Sequence, residues 1–154
     1  MHSVKHTGAA VAAALLLVAA AVALRAEPKR SINTARGDLA VKGYDVVAYA
    51  TAAKALPGRP EFEYRWNGAV WRFVSAAHRD AFSRDPERYA PQFGGYCAWA
   101  VSRGYTADTD PEAWKIVDGR LYLNYSKRVQ RMWEQDIPGN IEKAKANWPS
   151  VLNK

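Results

Sequence analysis

The chain is poor in the residues that carry most soft-metal and nucleophilic chemistry. In 154 residues it has one cysteine (Cys97), two methionines and three histidines. His2 and His6 lie at the N-terminus, so His78 is the one histidine of the main body, and Met132 is its one methionine. A single cysteine excludes an intrachain disulfide. It leaves a buried small side chain, a reactive thiol, a metal ligand or half of an intermolecular bridge. There is no glycine-rich phosphate loop and no G-x-S-x-G nucleophile turn. No block of five or six like charges occurs, so the net charge of +7 is spread out rather than gathered into a nucleic-acid-binding stripe.

What is present begins with a leader-like segment. Lys5 supplies a positive start, Gly8 to Leu24 is uncharged and rich in Ala, Val and Leu, and Ala21 to Ala23 is a small-x-small cleavage site, with Ala26 a second. Residues 1–26 therefore read as a secretory signal peptide, with a periplasmic destination. The alternative is an uncleaved N-terminal membrane anchor, for which the run is near the lower limit of length. Loss of Lys5 and Arg25 with the leader lowers the charge from +7 to +5. The remaining chain suits one domain.

Residues 27–42 are mixed and polar and read as a linker or N-terminal arm. Tyr44 to Ala50, "YDVVAYA", is rich in β-branched and aromatic residues and reads as a strand. In "FEYRWNGAVWRFVS", Phe62, Tyr64 and Trp66 alternate with charged residues. Asn67-Gly68 supplies a two-residue hairpin turn, and Val70 to Val74 returns. Ser75 caps a helix over Ala76 to Arg84, Pro86 opens another turn, and "CAWAVS" forms a buried helix closed by Gly104. "DTDPEAW" reads as loop or helical turn, and "WKIVDGRLYLNY" as a second hairpin about Asp118-Gly119. Ser126 caps a helix over Lys127 to Gln135, and a last helix starts at Asp136 and ends at Pro149. Hairpins mixed with short helices give an α+β fold: two β-hairpins packed by short helices, plus a C-terminal helical pair over 126–154.

The segment from "YRWNGAVWRFVS" to "GGYCAWAVSRG" resembles a YHS domain, most closely the exported single-domain YHS proteins of bacteria. The resemblance rests on Gly43 to Tyr49, Phe73 to Ser75, Phe82 to Tyr89, Gly94 to Ala98 and Leu121 to Asn124, and covers residues 43–125. It implies an association with transition metals, copper first, through a pair of cysteines. Here Val74 and His78 stand where those cysteines would be, so that two-thiol site is missing.

Cys97 and His78 are the residues on which chemistry could turn. Thiolate and imidazole together suit copper or zinc, with Asp45 or Tyr44 as a third donor. They could equally form a nucleophile–base pair of a thiol-based redox or hydrolytic enzyme. A helix starting at Cys97 would favour thiolate. Against these stand plainer roles: Cys97 packed and inert, His78 half-buried and hydrogen-bonded, Asp45 an acid bonded near a strand end. Tyr64, Trp66, Trp71 and Phe73 are too many to face one small core. Some of them are therefore expected on the second side of the hairpin or lining a ligand pocket, with Tyr44, Tyr96 and Trp71 as candidate contacts. The expected function is binding rather than catalysis, of a metal ion or a small ligand near Cys97 and His78. A non-catalytic interaction domain is the third possibility, and neither nucleic acid nor stable membrane insertion of a cleaved chain is expected.

Overall fold

The computed structural model describes residues 28–154. The leader assigned to residues 1–26 lies outside the described residues. Among these residues no helix is long and apolar enough to cross a membrane. The fold is α+β, as the hairpin and helix signals imply.

Residues 28–43 do not form a free arm. They hold two short strands, β1 (Thr34–Ala35) and β2 (Leu39–Ala40), that pair antiparallel. β2 then joins β4 in parallel, Leu39 opposite Val70, and Ile32, Ala40 and Val41 are buried. Three apolar side chains thread through a polar stretch, and their burial fixes the segment.

The expected strand over Tyr44 to Ala50 is instead helix α1 (Val46–Ala52). Asp45 is its N-cap and accepts from the Val47 and Ala48 amides at 2.8 and 3.1 Å. The cap satisfies amides that a helix start leaves orphaned. Burial of Val46, Val47, Ala48 and Tyr49 outweighs the modest helix penalty of two valines.

The first hairpin pairs β3 (Arg59–Trp66) with β4 (Ala69–Phe73). Its turn residues Asn67 and Gly68 have φ of +50° and +73°, the left-handed pair that matches strand twist. Strands β1-β2-β4-β3 form one sheet. Helix α2 (Ala76–Arg84) follows, with the Ser75 hydroxyl accepting from the His78 amide at 3.2 Å, and then the short α3 (Pro86–Tyr89).

Phe82 of α2 resolves the expected crowding of aromatics. Its ring centroid lies 6.1 Å from Tyr64, 5.9 Å from Trp66, 5.0 Å from Trp71 and 5.1 Å from Phe73. All four therefore pack about one core, with Trp71 and Phe73 buried in it and Tyr64 and Trp66 partly buried at its edge. Neighbouring β3 and β4 present them on the same face, and a single helix residue fills the centre.

After α4 (Ala98–Ser102), the second hairpin pairs β5 (Asp110–Val117) with β6 (Arg120–Asn124) across Asp118-Gly119. The "DTDPEAW" stretch is thus largely strand. Its register shifts between Asp110 and Trp114, which accommodates Pro111 in a sheet of only two strands. β6 divides the interior. Leu121 and Leu123 enter the core of α1, α2 and the first sheet, and Tyr122 points into a second core. That second core holds Phe93, Val101, Trp133, Ile141 and Ala144, from α4, α5 (Lys127–Glu134), α6 (Ile137–Asn147) and a loop. The period-two alternation of a strand buried on both faces thus joins the hairpin domain to its C-terminal helices.

Candidate functional site

Three arrangements contain the residues and cavities on which function could depend. The first is built on Asp45, which is fully buried. One carboxylate oxygen caps α1. The other accepts from the Val74 amide at 2.9 Å and from His78 Nδ1 at 2.6 Å. A carboxylate only accepts, so Nδ1 carries the hydrogen, and it is Nε2 that bears the lone pair whenever the ring is neutral. The His78 side chain is about a quarter exposed. The buried acid thus orients an imidazole that reaches the surface, the way outer-shell carboxylates orient histidine ligands and bases.

The second surrounds Cys97. Its sulfur lies 3.6 Å from Asn124 Oδ1 and accepts the Tyr125 amide at 3.3 Å. The same Asn124 oxygen accepts the Trp99 amide at 3.1 Å, and Asn124 is fully buried. Cys97 does stand at the start of a helix, yet burial pushes its thiol pKa up in spite of nearby backbone amides that favour thiolate. The expected activation is therefore overturned: in a five-residue helix the dipole is small, and desolvation of the anion is the larger effect.

These two arrangements share no hydrogen-bonding partner. Asp45 and His78 meet, whereas Cys97 is bonded to Asn124 and Tyr125 instead. Among the described residues no group of three His, Cys, Asp or Glu side chains is placed to hold a metal ion. Asp45 is also engaged by four donors, from Val47, Ala48, Val74 and His78, so its lone pairs are already used. The set Cys97, His78 and Asp45 does not fit a shared copper or zinc centre. The candidate ligand contacts are dispersed too. Tyr44 is half-buried and bridges Pro57. Trp71 is buried, its indole N–H donating to the Trp66 carbonyl at 3.0 Å. Tyr96 donates its hydroxyl to the Arg30 carbonyl at 2.9 Å and packs behind Trp148.

The third arrangement is an open cleft of about 990 Å³, bounded by the two hairpin turns, α3, the Gln92–Gly95 turn and α6. None of Cys97, His78, Asp45, Tyr44, Tyr96 or Trp71 lines it. Phe93, Tyr122 and Ile141 are its buried floor, and Trp66 and Trp148 are half-buried walls. Phe93 adopts φ of +56°, uncommon for a bulky residue, and its ring lies 6.1 Å from Tyr122 and 6.0 Å from Trp148.

Gly94, at φ +61°, passes so close to the N-terminal segment that a Cβ there would sit 1.8 Å from the Ser31 carbonyl oxygen. The Gly94 carbonyl accepts the Asn33 amide at 2.8 Å, and that of Gly95 accepts the Thr109 hydroxyl at 3.0 Å. The Gly-Gly-Tyr-Cys motif thus fixes one side of the cleft. In the sequence the single cysteine is the conspicuous residue of that motif, whereas the structural role lies with its glycines. The signal available was the Phe-Gly-Gly run itself, in which consecutive left-handed residues imply a close backbone crossing.

No protein-family model matches the chain, and comparison with curated proteins and with solved structures finds no match either.

Proposed function

We propose that this chain is a non-catalytic binding protein for a small organic ligand, held in the cleft between the hairpin turns and α6. The observation that carries the reading is the cleft itself: about 990 Å³, with four aromatic side chains in its walls and floor and charged groups at its rim. That size lies at the upper end of the range of small-molecule sites, and the aromatic floor supplies the apolar surface on which such ligands rest, within a lining that is otherwise polar. The YHS-like Gly-Gly-Tyr-Cys signature supports it through Gly94 and Gly95, which hold a cleft wall. The buried, protonated Cys97 speaks against the thiol-enzyme alternative, because the thiolate is the nucleophile.

A thermal-shift screen of small organic compounds tests the proposal, run on the wild-type chain and on Ser31→Trp, which fills the cleft from its exposed edge. A ligand at about one hundred times its Kd stabilises by about 2.7 kcal/mol, or roughly 10 °C in a domain of this size. The reading expects compounds that raise the wild-type Tm and leave the variant unmoved. Equal shifts in both proteins, or none in either across a broad library, would count against it.

A second reading keeps a transition metal, copper first, with His78 as its one protein ligand. The observation in its favour is the Asp45–His78 bond at 2.6 Å, which leaves Nε2 directed and free of that bond. Titration with Cu(I) and Zn(II) tests it. Loss of binding in His78→Ala supports it, and equal binding by both proteins refutes it.

A further inference from the structure

We infer that the ligand of this cleft is an organic cation with an apolar body, such as an alkylammonium; this rests on the cleft being the binding site. Two independent features point the same way. The first is charge. Over the whole chain Lys and Arg outnumber Asp and Glu by 22 to 15, yet the cleft reverses the balance: Glu87, Asp118 and Glu142 face only Arg120 and Lys145.

Lys145 is held by Glu142 at 3.1 Å, and Arg120 extends to the Glu87 backbone carbonyl at 3.4 Å. Among the described residues neither Glu87 nor Asp118 forms an ion pair. With Lys145 and Glu142 paired, Glu87 and Asp118 against Arg120 leave the cleft one negative charge in excess, which favours a cation over an anion.

The second feature is the aromatic lining. Trp66 and Trp148 stand half-exposed in the walls over a floor that includes Phe93 and Tyr122. The faces of aromatic rings carry negative charge density and attract ammonium groups, most strongly in tryptophan. A ligand with alkyl groups on its nitrogen would contact these faces and keep its charge near the rim carboxylates. A neutral isostere would fill the same space without either electrostatic gain.

The test uses choline as the probe, with neohexanol as its neutral carbon isostere and tert-butylacetate as an anion of similar shape. Binding is followed through the Trp66 and Trp148 indole signals in proton–nitrogen correlation spectra of the full chain. Choline is expected to shift both signals saturably and to bind about fivefold or more tighter than neohexanol. Glu87→Gln combined with Asp118→Asn is expected to weaken choline about fivefold without changing the melting temperature, since both side chains are exposed. Neohexanol or tert-butylacetate binding the cleft as tightly as choline would overturn the cation assignment while leaving the cleft as the site. Failure of all three probes at these indoles would also overturn it, and the compound screen on Ser31→Trp then decides the cleft separately.

Discussion

Asp45 and His78 are joined by a 2.6 Å contact between a fully buried carboxylate and a ring that reaches solvent. The same carboxylate caps α1 and holds the end of β4 through the Val74 amide. One side chain therefore ties a helix start, a strand end and helix α2 together, and its removal leaves several buried donors unpaired.

Asp45→Ala is expected to cost about 3–5 kcal/mol, because a buried charge-assisted network loses its only acceptor. His78→Ala removes one of four donors and is expected to cost about 1–3 kcal/mol. Urea denaturation of both variants measures this. A loss below about 0.5 kcal/mol in Asp45→Ala would contradict the network's structural role.

Gly94 in the cleft wall and two glycines near it, Gly95 and Gly119, give a graded series. Gly119→Ala meets nothing within 4 Å and bears only the left-handed backbone penalty, about 1–2 kcal/mol. Gly95→Ala adds a 3.2 Å approach to Pro91, and Gly94→Ala adds the collision with Ser31. The expected order of destabilisation is Gly94 above Gly95 above Gly119, with Gly94→Ala beyond about 3 kcal/mol. Equal costs at Gly94 and Gly119 would mean that the Ser31 crossing is not tight.

The thiol of Cys97 has its pKa raised in the fold, by burial first. A group whose folded pKa lies above its unfolded value contributes stability that is fully present below the unfolded pKa, about 8.5 for cysteine. That contribution is lost as pH rises toward the folded pKa. Wild type is therefore expected to lose stability relative to Cys97→Ala as pH climbs past about 8.5. Native alkylation by iodoacetamide is expected to be slow and to accelerate in urea. Rapid alkylation of the native chain at neutral pH would restore the reactive-thiol alternative.

Phe82 is the centre of the first core, within 6.1 Å of four aromatic rings. Phe82→Ala is expected to cost about 3–5 kcal/mol and to flatten the near-ultraviolet circular dichroism. Retention of both the spectrum and the stability would show that the rings pack without it.

Local chemistry made much of this fold legible. Asn67-Gly68 and Asp118-Gly119 mark both hairpin turns, and Ser75 and Ser126 cap the helices that follow them. Those signals act within a few residues. Tyr44 to Ala50 misled because its valines favour strand, while the helix depends on an Asp45 cap shared with distant Val74 and His78. The N-terminal segment shows its role only once Leu39 pairs with Val70 and Ile32 finds the core. For the site, the acid and histidine were legible as residues but not as a pair. The cleft was not legible, because Trp66, Phe93, Tyr122 and Trp148 are brought together by topology alone.

The proposed ligand site is the cleft, and not the surroundings of Cys97 and His78. Shift mapping by proton–nitrogen correlation spectroscopy, with a stabilising compound from the screen, tests it most directly. The account predicts saturable shifts at the Trp66 and Trp148 indoles and the Gly94 amide, with the Cys97 and His78 amides unmoved. Shifts centred on Cys97 and His78, with both indoles silent, would contradict it.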